Sequence, residues 1–336
     1  MTGSASELFA QIRAHLPPWL DARALEWCAQ IAEHIPDGAS SHYLELRLNA
    51  GPEIDFLTCI TDKQLAAQLK RRLGPSLSSA WQSNLTILDE WATPNSALSG
   101  APLVYLEYDA GASTSDTDPE ASLAVCVESN YQARQWQSPR ATDLTAVELG
   151  KQLYRRLAPD AQREAWTAAI ERCYAALPPG GAIPHVCVMN AREPITAKPY
   201  VVLPRANVLS FLRGIEWPGC LHTVEELLET YYAAFREHVY LDLTITDAVQ
   251  ERLGLVTSQF QAREMSCSTL DWWRLPPELA AQQAALSEWT GYSEATLGGD
   301  RVWIQRWLDT KLVLCGEQIV YKAYLGFGAR SPPLFC

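Results

Sequence analysis

Between His42 and Asn49 the chain alternates, with Leu44, Leu46 and Leu48 on one side and Tyr43, Glu45, Arg47 and Asn49 on the other. A period of two marks a strand with one apolar and one polar face. The turn Asn49-Ala-Gly-Pro leads to a second strand at 54–61, which completes a hairpin. Helical periodicity precedes this hairpin at about 5–16 and 21–34, and follows it at about 63–73 and 78–91. The same order then recurs. Strands at 103–109 and 121–129, joined by the low-complexity loop 111–120, are followed by helices at about 142–157 and 160–177. Strands at 185–192 and 198–203 are followed by helices at about 206–214 and 223–236. A strand at 238–245 pairs with one at about 253–260, helical sequence follows around 276–289, and a last hairpin spans 303–314 and 319–327.

The unit is ββαα, about 60 residues long, and it occurs nearly five times. Consecutive strands joined by tight turns run antiparallel, so a doubly wound parallel sheet is excluded. Ten antiparallel strands with helices between hairpins close most simply into a barrel inside a ring of helices, which leaves no sheet edge. The expected fold class is therefore α+β: a ten-stranded antiparallel barrel with the helices at 5–34 packed on it. The apolar strand faces meet the helices. The polar faces turn inward, and ten strands are wider than the eight that side chains just fill. The interior is then a lined chamber.

At roughly 150 residues per domain, a chain of 336 residues has room for two domains. Five units of one barrel use up the same length, so the expectation is a single domain over 1–336. No run approaches the ~18 apolar residues of a membrane span. The start, MTGSASELFAQIRAHL, reads as a capped amphipathic helix rather than a signal peptide, and a cytoplasmic protein is expected. The nine cysteines form no CxxC pair, so neither a disulfide framework nor a zinc site is indicated, and no metal ligand set is assigned. GxGxxG, GxxxxGK[ST], HExxH and GxSxG are also missing. A net charge of −12 and no basic block argue against nucleic acid and against an anionic membrane surface as partners.

Against that acidic average, the inward positions are unusual. They read Tyr43, Glu45, Arg47 and Asn49; Tyr105, Glu107 and Asp109; Lys198 and Tyr200; His238, Tyr240 and Asp242; Asp309 and Lys311; Lys322 and Tyr324. The pattern KxY occurs twice, as Lys198-Pro-Tyr200 and Lys322-Ala-Tyr324. With Arg47 and Lys311 this makes four cations inside one chamber, tolerable only if interior carboxylates or a bound anion neutralise them. A diphosphate supplies several charged oxygens for ammonium, guanidinium and phenol donors. The alternative is a network with Glu45, Glu107, Asp109 and Asp242 that has no catalytic role. His238 is expected to be a hydrogen-bonded strand residue. The tryptophans at 81, 91, 166, 217, 272, 273 and 289 are expected in the core, and Trp303 and Trp307 beside Lys311.

The repeat and the two KxY strands resemble the ABBA-type aromatic prenyltransferases, whose fold (the PT barrel) is a ten-stranded antiparallel barrel ringed by helices. In length and compact N-terminus the chain is more similar to the bacterial enzymes, including those that prenylate ribosomal peptides, than to the longer fungal indole enzymes. The resemblance implies transfer of a dimethylallyl or geranyl group from its diphosphate to an indole, phenol, guanidine or imidazole, in a small aromatic or a peptide acceptor. Arg47, Lys198, Lys311 and Lys322 would hold the diphosphate. Tyr200, Tyr240 and Tyr324 would shield the allyl cation, with Trp307 along the prenyl tail. Glu45 would remove the acceptor's proton, Asp109 and Asp242 being the alternatives. No DDxxD-like cluster is present, so protein cations must do much of the diphosphate binding. Glu107, Asp109 and Asp242 leave room for Mg2+. A different class of function remains: a non-catalytic barrel that holds a peptide or apolar ligand in a biosynthetic pathway.

Overall fold

The computed structural model describes residues 3–73, 78–110, 119–127, 144–232, 238–257 and 275–330. Two helices open the chain, α1 (Ala5–Ile12) and α2 (Ala22–His34). The first is held by a capping box in which the Ser4 side chain accepts from Glu7 N and Glu7 reaches back to Ser4 N; the second is capped by Asp21. The hairpin β1 (Ser41–Arg47) and β2 (Ile54–Ile60) leads to α3 (Gln64–Arg72) and α4 (Ser79–Ala92). Next come β3 (Leu103–Tyr108), β4 (Ala121–Cys126), α5 (Leu144–Leu157) and α6 (Arg163–Ala175). They are followed by β5 (Ala182–Met189), β6 (Thr196–Pro204), α7 (Val208–Gly214) and α8 (Leu221–Tyr232). The rest is β7 (His238–Ile245), β8 (Val249–Thr257), α9 (Ala280–Ser287), β9 (Gly291–Leu297), β10 (Asp300–Cys315) and β11 (Gln318–Arg330).

Every strand pairing is antiparallel. The sheet runs β11-β1-β2-β3-β4-β5-β6-β7-β8-β10 and returns to β11, which closes a ten-stranded barrel. Alternation decides which face meets the helices. On β1, Leu44 and Leu46 are buried against the helical layer; on β11, Ala323, Leu325 and Phe327 are fully buried there. The apolar core thus lies between the outer barrel wall and the helices, with Trp81, Trp91, Trp166, Trp217 and Trp289 in it. Trp272, Trp273, Cys267 and Cys336 fall outside the described residues, as does most of the loop 111–120. His42 is an exception on the outer face. It is fully buried between Phe56 and Phe327, at 5.8 and 5.3 Å between ring centroids, and burial lowers its pKa to about 3, so the imidazole is neutral.

The fifth strand is Ala182–Met189 rather than 185–192, which leaves Arg192 in the connection after it, and three further differences bear on the architecture. The eighth strand is Val249–Thr257 rather than 253–260, because a tight turn brings Val249 opposite Ile245. Asn49 lies beyond β1 and does not line the interior; its side chain donates to Ile319 O and accepts from Tyr321 N, which extends the β1–β11 ladder. The third difference is β9, an eleventh strand. The loop Gly298-Gly299, with φ of +55° and +90°, turns it onto β10, and two consecutive left-handed residues favour glycine. The first half of β10 pairs with β9 and the second half with β8, which is why β10 is 16 residues long.

Candidate functional site in the barrel interior

The registers stack inward side chains into rows that cross the strands. Arg47 lies opposite Lys322, and Lys322 opposite Lys311, so three adjacent strands place three cations in one row. Opposed residues in an antiparallel pair have Cβ atoms about 5 Å apart, and like charges in that relation are destabilising. The neighbouring row is acidic. It runs Asp309, Tyr324, Glu45 and Asp55, with Asp109 just past the end of β3.

Each cation of the row turns to a carboxylate. Lys322 Nζ, barred from its like-charged neighbours, reaches diagonally to Glu45 Oε1. Arg47 Nη2 donates to Asp55 Oδ2, so it pairs with Asp55 and not with Glu45. Lys311 Nζ meets Asp242 Oδ2, and Lys198 Nζ lies 3.1 Å from the same oxygen. One carboxylate therefore serves two ammonium groups. The backbone is adapted to this: a Cβ on Gly254 would lie 2.5 Å from Lys311 Cε and 2.9 Å from Asp242 Cβ, so only glycine at that place on β8 leaves space for the pair.

The opposite wall is acidic with its own guanidinium. Arg192, beyond the end of β5, bonds both Asp109 and Glu107. Glu107 and Asp109 are thus engaged by Arg192, and Asp242 by two lysines. No group of three His, Cys, Asp or Glu disposed to hold a metal ion occurs among the described residues. Of the four cations expected to converge, Lys198, Lys311 and Lys322 do. Arg47 starts the row but turns its guanidinium toward Asp55.

Burial and charge shape the titration of these groups. Burial raises the pKa of Glu45 and Asp242, but the lysines beside them outweigh it and hold both carboxyls well below the usual range. Asp55 goes the other way. Burial and the nearby carboxylates Glu45, Asp109 and Glu107 outweigh Arg47 and push it up to about 7. Burial also raises Glu107. Burial, together with the charges of Lys198 and Lys322, outweighs Asp242 and lowers Lys311 to about 8.

Two residues along their strands from Glu45, Glu107, Lys198, Asp242 and Lys322 stand Tyr43, Tyr105, Tyr200, Tyr240 and Tyr324, the last within the acidic row, and with His185 they form an aromatic layer. Tyr200 and Tyr240 have centroids 5.6 Å apart, and His185 packs within 6.2 Å of both. Lys311 Nζ stands 5.4 Å from the centre of the Tyr200 ring. His185 Nδ1 and Tyr240 Oη form a hydrogen bond, and burial lowers His185 to about 3, so its ring is neutral. Burial keeps the Tyr200 and Tyr324 phenols protonated far above neutral pH, and the Tyr324 hydroxyl is within hydrogen-bonding reach of Glu45.

Tyr105, Tyr200, Tyr240 and Tyr324 are half-buried although the outward residues beside them are fully buried. The aromatic layer therefore faces solvent-accessible space inside the barrel. Beyond it the wall becomes apolar, with Cys59, Leu103 and Cys126 in one cluster against Tyr105. Trp307 lies flat across Gly326, where a Cβ would come within 2.2 Å of the indole, and Tyr43 meets it edge-on at 5.4 Å.

Two expectations are corrected here. Trp303 does not stand near Lys311: eight residues of extended strand, ~26 Å, separate them, and it pairs with Glu294 of β9. His238, the first residue of β7, is half-buried, and its Nε2 has no hydrogen-bond partner among the described residues. The sequence reading missed Asp55, His185, Arg192 and Gly254. Asp55 and His185 occupy the inward phase of alternating strands, with Ile54 and Phe56 or Val186 and Val188 facing out, so the same alternation identifies them. The alternation put Arg192 at the end of a strand, in the outward phase of Val186 and Val188, whereas β5 ends at Met189 and Arg192 lies in the connection after it.

The site offers a cluster of ammonium groups, phenol donors and π-faces one step away, and a carboxylate between the two layers. It can bind an anion and stabilise a cation about 7 Å apart, the rise of two strand residues. Searches against family models and against curated proteins return no match for the chain.

Proposed function

We propose that the barrel is a prenyltransferase of the ABBA type, transferring a dimethylallyl or geranyl group from its diphosphate to an electron-rich acceptor. The row Arg47–Lys322–Lys311, completed by Lys198, carries this reading. Each of these cations already has a carboxylate, two of them sharing Asp242, and a diphosphate would offer the crowded cations further charged oxygens to share. When the diphosphate accepts bonds from Lys198, Lys311 and Lys322, the allylic C–O bond breaks toward it and the departing charge is stabilised. The positive charge left on the allyl group then lies at the level of Tyr200, Tyr240 and Tyr324. The acceptor's electron pair forms the new bond, and the proton it sheds goes to a carboxylate.

Glu45 is placed for that last role. In the resting chain Lys322 holds it as a weak base; once the diphosphate draws Lys322 away, its basicity rises beside the aromatic layer. Trp307 is four strand residues beyond Lys311, ~13 Å, a distance that suits the end of a geranyl chain or the acceptor better than a five-carbon tail.

Lys311 gives the binding step a pH signature. Its free-state pKa is lowered to about 8, and a bound anion raises it, so diphosphate affinity is full below pH 8 and is lost as pH rises through that value. Calorimetric titration with dimethylallyl thiolodiphosphate between pH 7 and 9.5 should show proton uptake on binding and an affinity that falls up to about tenfold per pH unit at the alkaline end. A flat profile would remove Lys311 from the site.

The full set of internal ion pairs favours a second reading, a non-catalytic barrel whose lysines and carboxylates neutralise each other. Mass spectrometry of indole, tyrosyl, histidyl and arginyl peptides incubated with C5 and C10 diphosphates and Mg2+ separates the two. Transfer adds 68 or 136 mass units to at least one acceptor; no adduct on any of them overturns the proposal.

A further inference from the structure

On the outer wall, away from the barrel interior, Arg306 is a cation with an incomplete set of partners. The side chain on β10 is 8% exposed. Nε donates to Trp289 O at 3.0 Å and Nη1 to Ser293 Oγ at 2.9 Å, and the guanidinium stacks over the Trp289 ring at 5.7 Å. These contacts fix the plane of the group just past the C-terminal end of α9, where the helix dipole supplies only partial negative charge.

No Asp or Glu pairs with Arg306 among the described residues, and Nη2 donates to no protein group there. A Cβ added at Gly291, where φ is +148°, would lie 3.5 Å from Nη2 and meet nothing else, so the space beside this nitrogen is open. The titratable group nearest this charge is an imidazole that is neutral at pH 7. His15, in the short 3-10 turn after α1, has its pKa lowered by burial and then by the charge of Arg306. A buried guanidinium without a carboxylate is expensive, and the neutral imidazole beside it supplies no compensating charge. This cation occurs in a chain of net charge −12, where carboxylates are abundant elsewhere.

We propose that Arg306 Nη2, Ser293 Oγ and the His15 ring form a binding site for a single oxyanion, either a carboxylate or a free phosphate, on the outer barrel wall between the turn after α1 and β9. Only one edge of the guanidinium is open, so the anion accepts one charge-assisted bond from Nη2, with His15 and Ser293 as flanking donors. The proposal does not depend on the prenyl-transfer reading, since none of these residues faces the interior.

The test is a titration at constant ionic strength, with chloride as the reference anion, following the Arg Nε–H and His Cε1–H NMR resonances of the full chain. Inorganic phosphate, acetate, and a short peptide with either a free or an amidated C-terminus are the probes. The expected result is saturable movement of the Arg306 and His15 signals, at least about threefold weaker binding in His15→Ala, and loss of the response in Arg306→Met. Preference for the free-terminus peptide over phosphate assigns the site to a protein carboxylate, and the reverse assigns it to phosphate. His15 is exposed, so His15→Ala keeps the test valid if Arg306→Met fails to fold. Lys198→Ala, which alters the interior, should leave the response unchanged. Signals that do not move with any anion, or that move equally with chloride, overturn the proposal.

Discussion

Replacing Lys322 by Met should lower the unfolding free energy by about 3–5 kcal/mol, because it leaves Glu45, 3% exposed, as an uncompensated buried charge. The second substitution of the pair separates stability from binding. Lys322→Met with Glu45→Gln removes both charges, and a buried ion pair exchanged for neutral groups of similar size is close to neutral or stabilising. Most of the lost stability should therefore return in the double variant, as read from urea unfolding midpoints. Binding of an allylic thiolodiphosphate should return in neither. If the double variant binds the analogue as the parent does, Lys322 is a structural partner of Glu45 and nothing more.

Asp242→Asn gives the other large effect, for a different reason. Asp242 is the shared partner of Lys198 and Lys311, so its loss leaves two ammonium groups close together and buried. Unfolding free energy should again fall by about 3–5 kcal/mol. An anionic ligand then becomes the missing partner. In the parent chain a diphosphate must compete with Asp242 for the lysines, whereas in Asp242→Asn it meets no competitor. Inorganic pyrophosphate should therefore raise the melting temperature of Asp242→Asn by more than that of the parent. An equal or smaller rise would place the lysines away from any anion site.

Strand alternation was enough to read the barrel. Leu44, Leu46 and Leu48 against Tyr43, Glu45 and Arg47 fix both the strand and its facing, and the recurrence of hairpin and helices gives the ring. Where one face is buried, a slip of one residue would turn the apolar set inward, so pattern and register are tied. The strand β9 was not legible in this way. Its exposed Tyr292, Glu294 and Thr296 alternate with the small residues Ser293 and Ala295, and it exists by pairing with β10. The Gly298-Gly299 pair was the available signal.

The candidate site was legible as a list of inward residues but not as a set of pairs. Glu45 and Arg47 share a face two positions apart, which suggests that they bond each other. The structure pairs them with Lys322 and Asp55, since partner choice depends on the register of strands far apart in sequence. Arg192 neutralises Glu107 and Asp109 from a connection that the alternation takes for the end of a strand. Gly254 is visible only once Lys311 is known to cross above it.

The central claim is that the interior lysines bind an allylic diphosphate. The direct measurement is calorimetric titration of the parent chain, Lys311→Met and the Lys322→Met, Glu45→Gln double variant with dimethylallyl and geranyl thiolodiphosphate, with and without Mg2+. The account predicts one saturable site in the parent and at least about a tenfold loss of affinity in each variant, the weight of a charge-assisted bond. Absence of binding to the parent at millimolar analogue, or equal affinity in all three proteins, would contradict it.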